Sequence, residues 1–349
     1  MNQFGEKGVR MLIKASDTTN PEYGCDPEKR RIDEHINKGV INIDKPAGPT
    51  SHEVVAWIKK ILDLDKAGHS GTLDPKVTGV LPVMLGGATK AVGALLTARK
   101  KYVCVMRLHR TVPEERIRDV CREFTGDIYQ RPPLKSAVKR QIRKRKIHHL
   151  KIQEIKDNEV LFEVECEAGT YIRKLCHDMG EALGVGAHMA ELRRTMSGPF
   201  TEDAHIATLQ DLKDAHVFWK EDGTEQFLRE IVMPMEYGVT HLPKVIIRDT
   251  AVDAICHGAD LAVPGVLSVQ SEIEMGCQVA VFTLKGECVC LGTAKMNATY
   301  ILGAKNGIAV DTDRVLMAPG IYPKMWRGSP TLIRGASSIW GDSPCRVPR

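Results

Sequence analysis

Hydrophobic residues change their spacing several times along the chain, and each change marks a predicted element. A short apolar run at residues 40–43 predicts a strand, and the turn at 44–49, with two prolines and one glycine, ends it. Behind the turn, Thr50 and Glu53 have the three-residue spacing of a capping box, and apolar residues at helical spacing continue to Leu62. The pattern therefore predicts a strand, a turn and an amphipathic helix.

A second group of predicted elements surrounds a glycine-rich loop. Residues 68–79 hold three glycines, one proline and a single carboxylate, Asp74. The apolar run at 80–85 predicts a buried strand, and residues 102–108 and 161–167 predict two more. At 172–183 the spacing is helical, with Gly184 as the C-cap. Because strands and helices alternate without regular βαβ units, residues 37–238 are expected to form an α+β domain with a mixed sheet.

The spacing of hydrophobic residues changes near residue 240. From there to 326 the strands are short, and one small helix fits residues 250–257, which predicts a compact β-barrel domain over 239–326. Residues 1–36 are polar and interrupted by breakers, so they are expected to be an extension. Residues 327–349 show no period and many Gly, Ser and Pro, and we expect a disordered tail.

Composition excludes several classes of protein. The chain has 349 residues, of which 43% are hydrophobic and 27% charged, the balance of a globular protein. No apolar run approaches the ~20 residues that span a bilayer, and the first residues lack the apolar core of a secretory signal. Ten cysteines without a C-x-x-C pair argue against a disulfide framework and a zinc site. A cytoplasmic protein without a bound metal is expected.

Positive charge is concentrated in one segment. The net charge is +5, but residues 131–149 carry eight basic side chains and no acid, which leaves the rest of the chain at −3. Such focusing favours contact with RNA or DNA phosphates, although a solvated basic face or a targeting signal stays open. The eight are Arg131, Lys135, Lys139, Arg140, Arg143, Lys144, Arg145 and Lys146.

Two residues point to chemistry. Pro75 biases Asp74 towards an extended backbone, and the glycines around it let a ligand approach the main chain. A turn aspartate that bonds its own backbone is the alternative. Arg173 lies in the first turn of the predicted helix, where its positive charge interacts unfavourably with the helix dipole. A residue that is unfavourable for its local structure often has a functional role. Its alternative role is an ion pair with Glu167.

Several motifs resemble the family that makes pseudouridine at tRNA position 55. They are HSGTLDPKVTG at 69–79, KYV at 101–103, GTYIR at 169–173 and ELRR at 191–194. Within that family, SHEVVAWIK at 51–59, QRPPL at 130–134 and CEAGTYIR at 166–173 are similar to the dyskerin type, the catalytic subunits of box H/ACA ribonucleoproteins. HGADLAVPG at 257–265 resembles the PUA domain. The length and the missing lysine-rich tails resemble archaeal members, and a nucleolar location would apply only to a eukaryotic one.

The resemblance implies a uridine-to-pseudouridine isomerase that needs no cofactor. Asp74 would be the catalytic carboxylate, held ionised by Arg173 in a dry cleft, while Tyr102 stacks on the flipped base. Tyr171 would accept the C5 proton and Leu192 would wall the pocket. Whether Asp74 attacks C1′ or takes a proton from C2′ stays open, and Tyr102 and Leu192 could equally be core residues.

The resemblance also implies RNA and protein partners. His69 would contact the flipped strand, and the basic segment from Arg131 to Lys146 would fold over substrate rRNA or tRNA, mobile until RNA arrives. The PUA domain would bind a guide RNA of box H/ACA type, with residues 1–36 packed on it. Its contact residues would be Gly258, Ala259, Asp260, Leu261, Pro264 and Gly265.

Protein partners would be a small zinc-ribbon scaffold protein, a glycine-arginine-rich accessory protein, and a kink-turn-binding protein that joins through the RNA. A guide-independent tRNA synthase and a non-catalytic RNA-binding scaffold remain alternatives.

Overall fold

Two sheets organise the protein. The computed structural model describes residues 9–132 and 141–324. Its strands are β1 (Met11–Ile13), β2 (Gly39–Lys45), β3 (Ala67–His69), β4 (Thr78–Leu85), β5 (Lys100–Leu108), β6 (Gly126–Gln130), β7 (Arg143–Lys156), β8 (Glu159–Cys166), β9 (Ala187–Ser197), β10 (Phe200–Thr201), β11 (Ile206–Ala207), β12 (Val232–Pro234), β13 (Lys244–Ile247), β14 (Leu261–Ala262), β15 (Val266–Gln270), β16 (Gln278–Phe282), β17 (Cys288–Ala294) and β18 (Ile308–Val315).

Helices connect these strands and cover the first sheet. The α-helices are α1 (Ile32–Asn37), α2 (Ser51–Leu62), α3 (Val92–Thr97), α4 (Glu114–Glu123), α5 (Ile172–Leu183), α6 (Leu209–Asp222), α7 (Gln226–Ile231), α8 (Asp249–Cys256) and α9 (Ala298–Gly303). Short 3₁₀ turns lie at Pro27–Lys29, Gly86–Ala91, Met235–Val239 and Val263–Gly265. Within the described ranges no helix is long and apolar enough to cross a membrane.

The first sheet is mixed, which confirms the predicted α+β class. Its main order is β11-β2-β4-β9-β5-β8-β7-β6, and the β4–β9 and β11–β2 pairs are parallel. The capping box of α2 is present, because the Thr50 hydroxyl accepts from the Glu53 amide at 3.2 Å and the Glu53 carboxylate accepts from the Thr50 amide at 2.7 Å. Helix α5 ends at Gly184, whose φ is +76°. Local sequence signals therefore determine where α2 begins and where α5 ends.

The second sheet has the order β1-β15-β13-β16-β17-β18-β14. The sequence did not predict β1, β15 or α9. Strand β1 belongs to the N-terminal extension and pairs with β15 in antiparallel register, from Met11 opposite Gln270 to Ile13 opposite Ser268. Asp249 accepts hydrogen bonds at 2.9 Å from Thr19 and Asn20. The extension thus lies along the second domain until α1, which packs in the core of the first.

A shared apolar cluster joins the two domains. Val80, Met84 and Leu95 of the first domain pack with Phe282 and Leu291 of the second. Beside the cluster, the buried Arg30 guanidinium forms a two-point ion pair with Glu236, at 2.7 and 2.9 Å. Glu236 also accepts from the Cys288 amide at 3.2 Å. The N-terminal extension, the first domain and the second domain therefore meet at the carboxylate of Glu236.

Candidate active site

The carboxylate of Asp74 and the guanidinium of Arg173 form an ion pair. Asp74 lies on the loop between β3 and β4, and Arg173 lies in the first turn of α5. The structure thus provides the pair that the resemblance implied, and it excludes the alternative in which Arg173 pairs with Glu167. A guanidinium that bonds a carboxylate fixes the orientation of that carboxylate.

The expected dry cleft is wrong for the chain by itself. The side chains of Asp74 and Arg173 are 54% and 60% exposed. Their pair lies at the surface because the loop and the helix end both face solvent, and no described residue covers them. If the reaction needs water excluded from this carboxylate, the bound RNA or a partner has to supply the cover.

Buried polar side chains hold the loop that carries Asp74. The Ser51 hydroxyl accepts from the Leu73 amide at 2.9 Å and lies 3.2 Å from the Leu73 carbonyl. The ammonium of Lys45, fully buried, donates to the carbonyls of Pro75 and Val77 at 3.1 and 2.9 Å. Burial lowers the pKa of Lys45. Asp74 is therefore an exposed side chain on a firmly held backbone.

Arg194 holds the same loop from the sheet. Its guanidinium is buried and donates to the carbonyls of Val80 and Gly71 at 2.7 and 3.3 Å. Arg194 is also the cross-strand neighbour of Tyr102 on β5, and burial raises the pKa of Tyr102. Gly79 makes this packing possible, because a Cβ there would lie 2.2 Å from the Arg194 carbonyl oxygen.

The other implied pocket residues lie on the neighbouring elements. Tyr171 is the N-cap residue of α5, two positions before Arg173. Leu192 lies on β9 opposite Cys104 and is half-buried against the core under α5. Tyr102, Tyr171 and Leu192 therefore belong to the two strands and the helix end that flank the ion pair.

His69 lies at the start of the same loop. Its ring is 5.0 Å from the ring of His52, centroid to centroid, and its Nδ1 lies 3.2 Å from the Gly71 amide. Burial, followed by the charge of His52, lowers the pKa of His69. Burial at this position therefore favours the neutral form of the His69 imidazole.

The basic segment divides into two parts. Lys135, Lys139 and Arg140 lie outside the described residues, and Arg131 is exposed just after β6. The expectation that the segment is mobile as far as residue 146 is wrong for its last four basic residues, Arg143, Lys144, Arg145 and Lys146. These four begin β7, because they pair with β6 in antiparallel register.

Two of these strand cations already have acidic neighbours. Lys144 pairs with Asp127 at 2.8 Å. Arg145 is 3.7 Å from Glu167, and its guanidinium packs on Gly169, where a Cβ would lie 3.0 Å away. Contacts within the protein therefore explain the position of the Arg145 guanidinium without RNA.

The residues expected to bind guide RNA lie between α8 and β15. Asp260, Leu261, Pro264 and Gly265 line a depression of about 360 Å³ together with Arg248. Asp260 also accepts from the Thr312 amide at 3.0 Å, and the Ala259 carbonyl accepts from the Thr312 hydroxyl at 2.9 Å. Gly258 has a φ of +89° in the same turn. The depression is therefore built on a fixed backbone.

Sequence reasoning missed four buried polar residues that support the site: Lys45, Ser51, Gln130 and Arg194. Three of them belong to motifs that carried the resemblance, but no local rule gave them a partner. Lys45 carried one usable signal: it is a charged residue at the end of the apolar strand that begins with residues 40–43. In the described part of the chain, no three His, Cys, Asp or Glu side chains come together as a metal site requires.

Comparisons with known families agree with this architecture. Profiles of the TruB family pseudouridylate synthase N-terminal domain and the tRNA pseudouridylate synthase B C-terminal domain match residues 59–172 and 173–240. A DKCLD domain profile matches residues 6–55, and a PUA domain profile matches 243–316.

Similar full-length proteins come from archaea. The probable tRNA pseudouridine synthase B of Methanopyrus kandleri is 62% identical, over 92% of this chain and 95% of that protein. That of Methanosarcina barkeri is 59% identical, over 91% and 94%.

Solved structures give the same result. A chain in the crystal structure of a Cbf5-Nop10-Gar1 complex superposes with a TM-score of 0.87 at 58% identity, over 90% of this chain and 96% of that one. A chain in the structure of an H/ACA RNP bound to a substrate RNA containing 2'-deoxyuridine gives 0.85 at 55% identity, over 91% and 98%. The protein described here therefore belongs to the TruB/Cbf5-type pseudouridine synthases, with DKCLD and PUA domains.

Proposed function

We propose that the protein is the catalytic subunit of a box H/ACA ribonucleoprotein and isomerises uridines that a guide RNA selects in rRNA or tRNA. The observation that carries the proposal is the exposed Asp74–Arg173 pair on a firmly held loop. A pocket this open needs a further component to cover it. The similarity to a chain solved in an H/ACA RNP with substrate RNA supports the same view.

The reaction exchanges one bond to C1′ for another. The N1–C1′ bond breaks, the base rotates, C5 bonds to C1′, the proton on C5 leaves, and N1, released from C1′, gains a proton. Asp74, oriented by Arg173, either adds to C1′ or removes a proton from C2′. Tyr102 supports the everted base, Tyr171 takes the C5 proton, and Leu192 closes one side of the pocket.

Three surfaces are assigned to RNA. His69 contacts the everted nucleotide, the connection between β6 and β7 follows the substrate strand, and the depression at Asp260–Gly265 holds the guide RNA. The partners proposed for this chain are relatives of Nop10 and Gar1, the proteins in the similar solved complex, together with a kink-turn-binding protein that joins through the RNA. We assign the particle to the cytoplasm.

Guide-independent modification of tRNA is the second candidate, because similar archaeal proteins carry the name probable tRNA pseudouridine synthase B. Tritium release from RNA labelled at uridine C5 separates the candidates. The reaction is run with the chain alone, with partners, and with partners plus guide RNA.

Release that requires a complementary guide supports the guided enzyme, and a mismatched guide is the matched control. Equal release from tRNA without a guide would replace the proposal with the second candidate. No release in any arm would leave only a role in RNA binding.

A further inference from the structure

The side chain of Gln130 holds the main chain of Tyr171 at two points. Its Oε1 accepts from the Tyr171 amide at 2.9 Å, and its Nε2 donates to the Tyr171 carbonyl at 3.1 Å. The carboxamide thus pairs with the amide and the carbonyl of Tyr171 as a residue of a neighbouring strand would. Gln130 is 2% exposed, so water cannot easily replace either bond.

Tyr171 needs such support because of its place in the helix. It is the N-cap residue of α5, and its side chain makes no capping hydrogen bond. The Tyr171 carbonyl accepts from Leu175 at 2.9 Å within the helix and from Gln130 at its other lone pair. Gln130 therefore fixes the direction in which α5 begins, two residues before Arg173.

Gln130 is also the last residue of β6, where the connection 131–142 begins. The far end of that connection returns at Arg143, directly opposite Gln130 in the β6–β7 pair. Glu167 makes two hydrogen bonds to the backbone of Lys146 on β7. The Glu167 carboxylate accepts from the Lys146 amide at 3.1 Å, and the Glu167 amide donates to the Lys146 carbonyl at 2.8 Å. Both strands at the base of the connection therefore hold the turn 167–171.

We propose that Gln130 is a positioning residue that sets Tyr171 and Arg173 against Asp74. The proposal rests on the roles assigned above to Tyr171 and Arg173.

The test uses the assembled, active form of the enzyme. Gln130→Ala removes both bonds, and we expect the single-turnover rate of tritium release at saturating RNA to fall at least tenfold. The dissociation constant for substrate RNA should change less than threefold. Gln210→Ala is the matched control, because Gln210 makes one side-chain bond to Asp214 on α6 and should retain the wild-type rate.

A second variant separates positioning from loss of folding. In Gln130→Glu the ionised carboxylate still accepts from the Tyr171 amide but repels the Tyr171 carbonyl. Its protonated form donates to that carbonyl, and burial raises the pKa of a glutamate. The rate of Gln130→Glu relative to wild type should therefore rise as pH is lowered from about 8 to about 6.

Three results would overturn the proposal: a wild-type rate in Gln130→Ala, a rate loss that only follows the folded fraction or RNA affinity, or a relative rate of Gln130→Glu that is independent of pH. The comparison is made in whichever format gives turnover. Guide dependence of the wild type is judged separately, so failure of the proposed function and failure of this proposal are distinguishable.

Discussion

Arg173 and Asp74 are in contact although 99 positions separate them in the chain. Because both side chains are more than half exposed, their attraction contributes at most about 1 kcal/mol to stability. Arg173 also opposes the dipole of α5, which costs a few tenths to about 1 kcal/mol. The pair therefore adds little to folding, and its value lies in the carboxylate that it orients.

Replacing Asp74 by asparagine separates chemistry from binding. Asp74→Asn keeps the shape of the side chain but removes the charge, so pseudouridine formation should fall by at least about 10³-fold. RNA affinity should change less than about tenfold, or 1.4 kcal/mol. Tritium release and a binding titration measure the two quantities.

Asp178→Asn is the control for Asp74→Asn, since Asp178 pairs with Lys174 on the same helix. Normal turnover in the Asp74 variant would remove Asp74 from its assigned role.

Ser51→Ala tests whether the loop must be held. The change leaves the amide and the carbonyl of Leu73 unpaired in a buried place, which should lower the free energy of unfolding by about 1–3 kcal/mol. Because Asp74 follows Leu73, the rate should also fall about tenfold or more in enzyme that remains folded. Chemical denaturation and single-turnover assays give both values.

Ser271→Ala provides the comparison for Ser51→Ala, because the exposed Ser271 hydroxyl only accepts from the Arg10 amide at 3.3 Å. It should stay within about 0.5 kcal/mol of wild type. A full rate in Ser51→Ala would show that the loop keeps its geometry without this serine.

Salt dependence tests the RNA role of β7. Lys146 is exposed at the base of the connection 131–142, so Lys146→Glu should weaken RNA binding. The slope of log affinity against log salt should become shallower by roughly 0.7–0.9 for each lost phosphate contact. Lys213→Glu on α6 makes the same charge change elsewhere. Equal slopes in the two variants would favour the solvated basic face.

His69 predicts a dependence of stability on pH. Burial lowers its pKa below 6.5, so as pH falls below 6.5 the unfolded chain binds a proton that the folded chain does not. Wild type should therefore lose stability relative to His69→Gln at acid pH, and the difference should level off above pH 6.5. Denaturation curves at pH 5 and 8 compare them, and a constant difference would mean that His69 is not held neutral.

Elements with local signals were predictable from the sequence. The capping box at Thr50 and Glu53 and the C-cap at Gly184 both exist, because each depends on residues within a few positions. The position of Arg173 against the helix dipole pointed to a partner outside the helix. The resemblance named Asp74 as that partner, and the structure places the two side chains together.

Support from distant residues was not predictable. Ser51 meets Leu73 across 22 positions, Gln130 meets Tyr171 across 41, and Arg194 meets Gly71 across 123. Their partners are backbone amides and carbonyls. Because every residue carries such groups, the sequence does not indicate which of them a distant side chain will bond. Strand β1 has the same property, since only its pairing with β15 makes it a strand. The packing of Arg145 on Gly169 was not predictable either, because charge patterning shows only that the segment is basic.

That strand also has a consequence for biosynthesis. Residues 11–13 pair with 268–270, so a nascent chain carries its first strand without a partner while about 250 further residues are added. At roughly 5–20 residues per second this wait lasts some tens of seconds. During that time residues 11–13 have no pairing partner, and the partner is complete only once residue 270 has been added.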